Sequence, residues 1–158
     1  EDTRGDINVA HNNDWHKSVM IYLTDRNSSG YSVYIDSLST VAVGDFSDKV
    51  QVTHLFPKPG CGGKLSTMIK NLRKAWAADG VSIAVYESNG SGAPQFALAR
   101  RYKQGLKEKT EGYRKPFVET YEKIHGKGSW SIFNDNVREY LNEQWSELIF
   151  LRADLSSK

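Results

Sequence analysis

Apolar residues recur at two different periods along this chain, and the period switches at a glycine-rich corner. Residues 50–56, Val50-Gln51-Val52-Thr53-His54-Leu55-Phe56, read as a strand. Beyond Pro57-Lys58-Pro59-Gly60-Cys61-Gly62-Gly63, the residues Leu65, Met68, Ile69, Leu72 and Trp76 fall at i, i+3, i+4, i+7 and i+11. They make one apolar helical stripe, with Lys70, Asn71, Arg73 and Lys74 turned away from it. Asp79-Gly80 ends that helix with a C-terminal glycine, and residues 81–86 resume strand alternation. Strand, helix and strand in this order predict a βαβ unit with parallel strands and a right-handed crossover.

Ahead of this unit, residues 18–23 read as a buried strand, 25–30 as a turn and 31–35 as its alternating partner, which together make a hairpin. Val41-Ala42-Val43 extends that strand or adds another, so the front half reads as an antiparallel meander, with residues 1–15 as an edge strand or tail. Behind the unit, residues 88–92 form a flexible loop, and Pro94 stands where a helical first turn tolerates proline, predicting a helix over 95–102. Phe117, Val118, Tyr121 and Ile124 sketch a short amphipathic helix. Asn136 with Glu139 resembles a capping box, and Val137, Tyr140, Leu141, Trp145, Leu148 and Ile149 continue it as an apolar stripe of helical period. The fold class expected is α/β: one domain over residues 1–158 with a mixed sheet of about five or six strands. An antiparallel meander leads into the βαβ unit, and a packed C-terminal helix closes the chain.

Composition supports one core: 158 residues, 39% hydrophobic and 25% charged, are enough for a single well-packed domain and too few for two ordinary ones. The formal charge of +2 favours neither nucleic acid nor membrane globally. No apolar run is long enough to span a membrane. One cysteine, Cys61, excludes an internal disulfide and fits a reducing, cytoplasmic compartment, while a start at Glu1 rather than methionine also fits a processed, secreted form. Asn27-Ser28-Ser29 and Asn89-Gly90-Ser91 spell glycosylation acceptors and Arg4-Gly5-Asp6 an adhesion tripeptide, triplets that arise often by chance.

The glycine corner is the first candidate for chemistry. Gly60, Gly62 and Gly63 precede a helix whose first N–H groups lack intrahelical partners, so the backbone there can approach a phosphate or pyrophosphate. It is not a nucleotide-hydrolysing P-loop, because Leu65 stands where a magnesium-binding hydroxyl is needed after Lys64. Many α/β packings require such a corner for the turn alone. Cys61 near the helix start and His54 on the preceding strand suggest a thiol pair, against the plainer reading of Cys61 as a small corner residue. His11, Asp14 and His16 carry ligand chemistry for zinc, but surface histidines flanking Trp15 are the simpler reading, and no metal is expected. Arg100, Arg101, Lys103, Lys107, Lys109, Arg114 and Lys115, interleaved with Tyr102 and Tyr113, could meet phosphates and bases; a solvated helix face is favoured over nucleic acid.

The order of elements over residues 18–106 resembles the core of the Gcn5-related N-acetyltransferase family: three antiparallel strands, a glycine-rich loop, a helix, a strand, a loop and a helix. Tyr102-Lys103-Gln104-Gly105-Leu106 looks like that family's Tyr-x-x-x-Gly-Phe ending. The resemblance implies acetyl-coenzyme A as cofactor. Lys58, Gly60, Gly62, Gly63 and Lys64 would lie at its pyrophosphate, the strand through Leu55 would hold its pantetheine arm, and Asn89 would lie nearby. Tyr102 would be the general acid that protonates the departing thiolate, with an unknown amine as acceptor. The alternative is a non-catalytic secreted or virion-associated binding module that uses its loops and the basic residues 100–115, with nucleic acid among its partners.

Overall fold

The computed structural model describes residue 13 and residues 31–88 and 95–152. In chain order it contains β1 (Val33–Tyr34), a 3-10 turn (Asp36–Leu38), β2 (Lys49–Pro57), α1 (Gly62–Ala78), β3 (Ser82–Ser88) and β4 (Gln95–Arg101). A second 3-10 turn (Gly105–Lys109), α2 (Phe117–His125), α3 (Ser129–Tyr140) and β5 (Leu141–Phe150) follow. The α/β class holds. The five strands lie in the order β1-β3-β4-β2-β5, and every described pairing is antiparallel.

β2 and β3 run parallel, as a βαβ unit requires, yet they never touch, because β4 lies between them and pairs with both. This is the split βαβ arrangement of ferredoxin-like folds. It depends on residues 95–101 being β4 rather than the expected helix. Their Ala, Leu and Arg content suits a helix, but Phe96, Leu98 and Arg100 alternate with Ala97, Ala99 and Arg101, and two neighbouring strands supply ladder partners. Pairing overrides a weak local preference. The expected meander also fails: β1 lies beside β3, with Tyr34 opposite Tyr86, and not beside β2. Residues 18–23, the other arm of the expected hairpin, lie outside the described residues, as do residues 89–92 of the expected loop and most of the tail.

Cross-strand register sets the faces. Leu55 lies opposite Phe96, and Leu98 opposite both Thr53 and Val85, so these side chains share the face that α1 covers. The helix buries Leu65, Met68, Ile69, Leu72, Ala75 and Trp76 there, which is the stripe read from the sequence plus one alanine. Each buried aliphatic side chain contributes about 1.5–3 kcal/mol, so this face dominates stability.

The C-terminal helix begins earlier and stops sooner than the spacing predicts. α3 starts after Gly128, held at φ 82, and at Leu141 the backbone turns extended, φ −91 and ψ 136, passing straight into β5. Trp145, Leu148 and Ile149 therefore lie on a strand. Their spacing fits both periods, and the long ladder with β2, from Lys49 opposite Phe150 to Phe56 opposite Glu143, decides between them.

α1 ends in a two-bond cap. The Val81 N–H donates to the Trp76 carbonyl at 2.8 Å and the Gly80 N–H to the Ala77 carbonyl at 3.3 Å, with Gly80 at φ 61. A Cβ at Gly80 meets no atom within 4 Å, so its cost is backbone strain alone. Gly80→Ala is expected to lower unfolding free energy by about 1–2 kcal/mol, measured as a reduced urea midpoint at unchanged slope.

Candidate functional site

β2 separates the residues that the acetyltransferase resemblance would bring together. Gly60, Gly62 and Gly63 follow its C-terminal end, whereas the Tyr102 N–H donates to the Lys49 carbonyl at its N-terminal end, 3.0 Å away. Nine strand residues intervene, a span of roughly 25 Å. At the corner, Lys58 Nζ donates to the Arg138 carbonyl at 3.0 Å, near the end of α3. Lys64 Nζ lies 3.8 Å from Glu139 Oε1 and 4.6 Å from the centre of the Tyr140 ring. Both corner lysines thus meet α3. Leu55 is a core side chain under α1, and Asn89 lies outside the described residues.

Tyr102 follows a strand and is only 1% exposed. Its hydroxyl donates to Gln51 Oε1 at 2.5 Å, and the Arg100 guanidinium lies 5.0 Å over its ring. Burial raises its pKa, against an opposing pull from Arg100. His54, on the face away from the helices, has Nδ1 3.0 Å from Gln95 Oε1 and Nε2 3.1 Å from Glu147 Oε1, with Trp145 stacked at 4.0 Å. Both ring nitrogens are engaged, and Cys61 is not among the partners. His11, Asp14 and His16 lie outside the described residues; among the described residues no cluster of three or more metal-ligating side chains occurs.

The basic segment does not form one surface. Arg100 and Arg101 point to opposite faces of the sheet, and Arg101 is buried against the Ala42 carbonyl and Asp45. Lys103 pairs with Asp45 and the Phe46 carbonyl, Lys109 reaches Gln51 at 3.2 Å, and Arg114 meets Glu108 at 2.8 Å. With four of the seven cations, Arg101, Lys103, Lys109 and Arg114, held by internal partners and the run split between two faces, the nucleic-acid reading of residues 100–115 has no support.

Arg100, Arg114 and Lys115 instead help enclose a cavity of about 480 Å³ between the end of α1, the start of β3 and the segment 108–117. Trp76, Val81, Ile83, Pro116 and Phe117 form its apolar walls, and Arg100, Arg114, Lys115, Asp79, Glu108 and Glu111 its polar ones. Arg114 is fixed at both terminal nitrogens, one to Glu108 and one to the Asp79 carbonyl. The Nε atoms of Arg100 and Arg114 are buried with no hydrogen-bond partner. No local sequence pattern marks this site, because its walls come from three separated stretches, 76–83, Arg100 and 108–117. The nearest signal was the pair of glutamates interrupting the basic run.

Glu108 anchors the cavity wall: its side chain is 3% exposed, and it accepts from the Gln104 N–H at 2.8 Å and from Arg114. Burial acts to raise its pKa, but the Gln104 N–H and Arg114 outweigh it, and the net direction is down. A depressed carboxylate stabilises the fold above its unfolded pKa, about 4.3, and loses that contribution as pH falls through its folded value. Glu108→Gln is therefore expected to cost about 1.5–3 kcal/mol at pH 7. Its stability deficit should close as urea titrations move below pH 4.

No protein-family model matches the chain, and no curated protein matches it. Among solved structures, the chain is similar to an uncharacterized NIPSNAP domain protein from Burkholderia xenovorans, with 11% identity and a TM-score of 0.40 over 69% of this chain and 99% of that one. So loose a likeness carries no argument about fold or function. It does not point to an N-acetyltransferase, and the topology speaks against one: β4 occupies the place of the helix that should carry the family's tyrosine, and it separates the two strands of the βαβ unit. The resemblance to the Gcn5-related N-acetyltransferases, with the acyltransferase activity it implied, is thereby withdrawn.

Proposed function

We propose that this protein binds a small organic anion, a carboxylate or comparable oxyanion head on an apolar body, in the cavity beneath the segment 108–117. The observation that carries this reading is the lining of the cavity, where Arg100, Arg114 and Lys115 stand beside the apolar side chains of Trp76, Val81, Ile83, Pro116 and Phe117. An anionic oxygen suits such cations, because a charge-assisted hydrogen bond is roughly twice as strong as a neutral one.

The remaining walls suit the body of such a ligand. Trp76 and Phe117 offer aromatic surface beside Val81, Ile83 and Pro116, and about 480 Å³ is the size of an ordinary metabolite site. Glu108 and the Asp79 carbonyl hold the terminal nitrogens of Arg114 and so fix its guanidinium in the cavity wall.

The test is a thermal-shift panel of benzoate, phenylacetate and a short aliphatic dicarboxylate, with benzamide as the uncharged control. A ligand that binds only the folded state stabilises it, by about 2.7 kcal/mol at a hundredfold excess over Kd. At least one carboxylate should raise Tm by several degrees where benzamide does not, and Arg100→Met or Arg114→Met should abolish the rise. Equal shifts from benzamide, or none across the panel, would overturn the reading.

A further inference from the structure

We propose that a second copy of this chain pairs with the outer edge of β5, joining two sheets antiparallel about a two-fold axis through Leu148. The proposal is independent of the cavity. Among the described residues β5 is a terminal strand of the sheet, and its apolar side chains are exposed on both faces: Trp145 45%, Leu148 36%, Ile149 46% and Phe150 51%, with Leu151 at 57% just beyond. No Lys, Arg or Pro occurs from residue 141 to residue 151. Monomeric proteins blunt long edge strands with such residues or with bulges, and the one irregularity here lies at the far end, opposite Phe56 and Pro57.

The ladder with β2 fixes which backbone groups are outward. The Leu151 N–H donates to the Asp48 carbonyl at 2.8 Å, so the amides of Leu151, Ile149, Glu147 and Trp145 turn inward. Alternation turns the N–H and C=O groups of Gln144, Ser146, Leu148 and Phe150 away from β2. An isologous partner must meet outward groups with outward groups. A two-fold through Leu148 does so, setting Ser146 opposite Phe150 and Leu148 opposite itself.

That register also fits the side chains. It sets Trp145 opposite Leu151 on the face away from the helices and Leu148 on Leu148 on the other. A two-fold through Glu147 would oppose the two carboxylates, and one through Ser146 would set Trp145 against Glu147 and Phe150 against Asn142. Charge selects a copy of the same strand over a basic peptide: the Glu147 carboxylate, the only charge between Gln144 and Leu151, is already met by His54 Nε2 at 3.1 Å. In the Leu148 register each Glu147 lies opposite an uncharged Ile149.

Sedimentation equilibrium of the full chain, from micromolar to submillimolar concentration, should give twice the chain mass of 17.8 kDa. Leu148→Lys, which opposes two ammonium groups at the axis, and Ser146→Pro, which removes an outward N–H, should each give the monomer mass with an unchanged circular dichroism spectrum. In a Cys61→Ser background, Leu148→Cys should form a dimer-linking disulfide on mild oxidation while Gln144→Cys should not. If Ser146→Pro fails to fold, the lysine variant and the cysteine pair still decide. A monomeric wild type would overturn the proposal, as would a dimer that survives Leu148→Lys or crosslinks equally through residue 144.

Discussion

The double pairing of β2 is the constraint on which this structure depends. The strand is laddered to β4 on one side and to β5 on the other, and it carries Leu55 into the core beneath α1. Take away either ladder and the consequences are specific. Without β4, α1 loses Phe96 and Leu98 from its floor, and without β5, the chain leaving α3 has no ladder to enter. A nine-residue strand also acts as a ruler. It holds the glycine corner at one end and the Tyr102, Gln51 and Lys109 cluster at the other, so chemistry that needs both ends at one reacting centre has no support in this geometry.

How much of this was legible in the sequence follows from how local each determinant is. α1 was readable in its stripe, its polar back and its stop at Asp79-Gly80, which lie in one continuous stretch, although it begins at Gly62, so that Gly62 and Gly63 form its first turn rather than precede it. β4 was not: residues 95–101 carry helix-favouring side chains, and what makes them a strand is the presence of β2 and β3 on either side. β5 fails for a related reason. Trp145, Leu148 and Ile149 satisfy helical spacing as well as a strand exposed on both faces, where the polar-apolar alternation that marks a half-buried strand is lost. The cavity lay further still from view, since Trp76, Arg100, Glu108 and Arg114 acquire meaning only when the fold sets them around one space.

The glycine corner shows the opposite error, a local pattern carrying more meaning than the structure uses. Its geometry answers a packing need: the chain reverses from the sheet into α1, and Gly60 takes φ 77 to do so. The lysines that look like phosphate ligands in sequence are engaged by α3, Lys58 at the Arg138 carbonyl and Lys64 beside Glu139 and Tyr140. A cation near the last carbonyls of a helix complements its dipole, which gives Lys58 a structural role without any ligand.

One row of residues connects the two proposed surfaces. Ile83, Arg100, Gln51 and Leu148 lie side by side across β3, β4, β2 and β5, each opposite the next and all on the face that the helices cover. Ile83 and Arg100 belong to the cavity wall, and Leu148 stands at the proposed axis. Gln51 lies between them, its Oε1 accepting from Tyr102 and Lys109. Any coupling along this row must therefore cross β2, the strand pinned by ladders on both sides. Coupling between sites needs an element with two alternative arrangements, and β2 is laddered on both sides in a single register. Two strands, β4 and β2, thus stand between Ile83 in the cavity wall and Leu148 at the proposed axis.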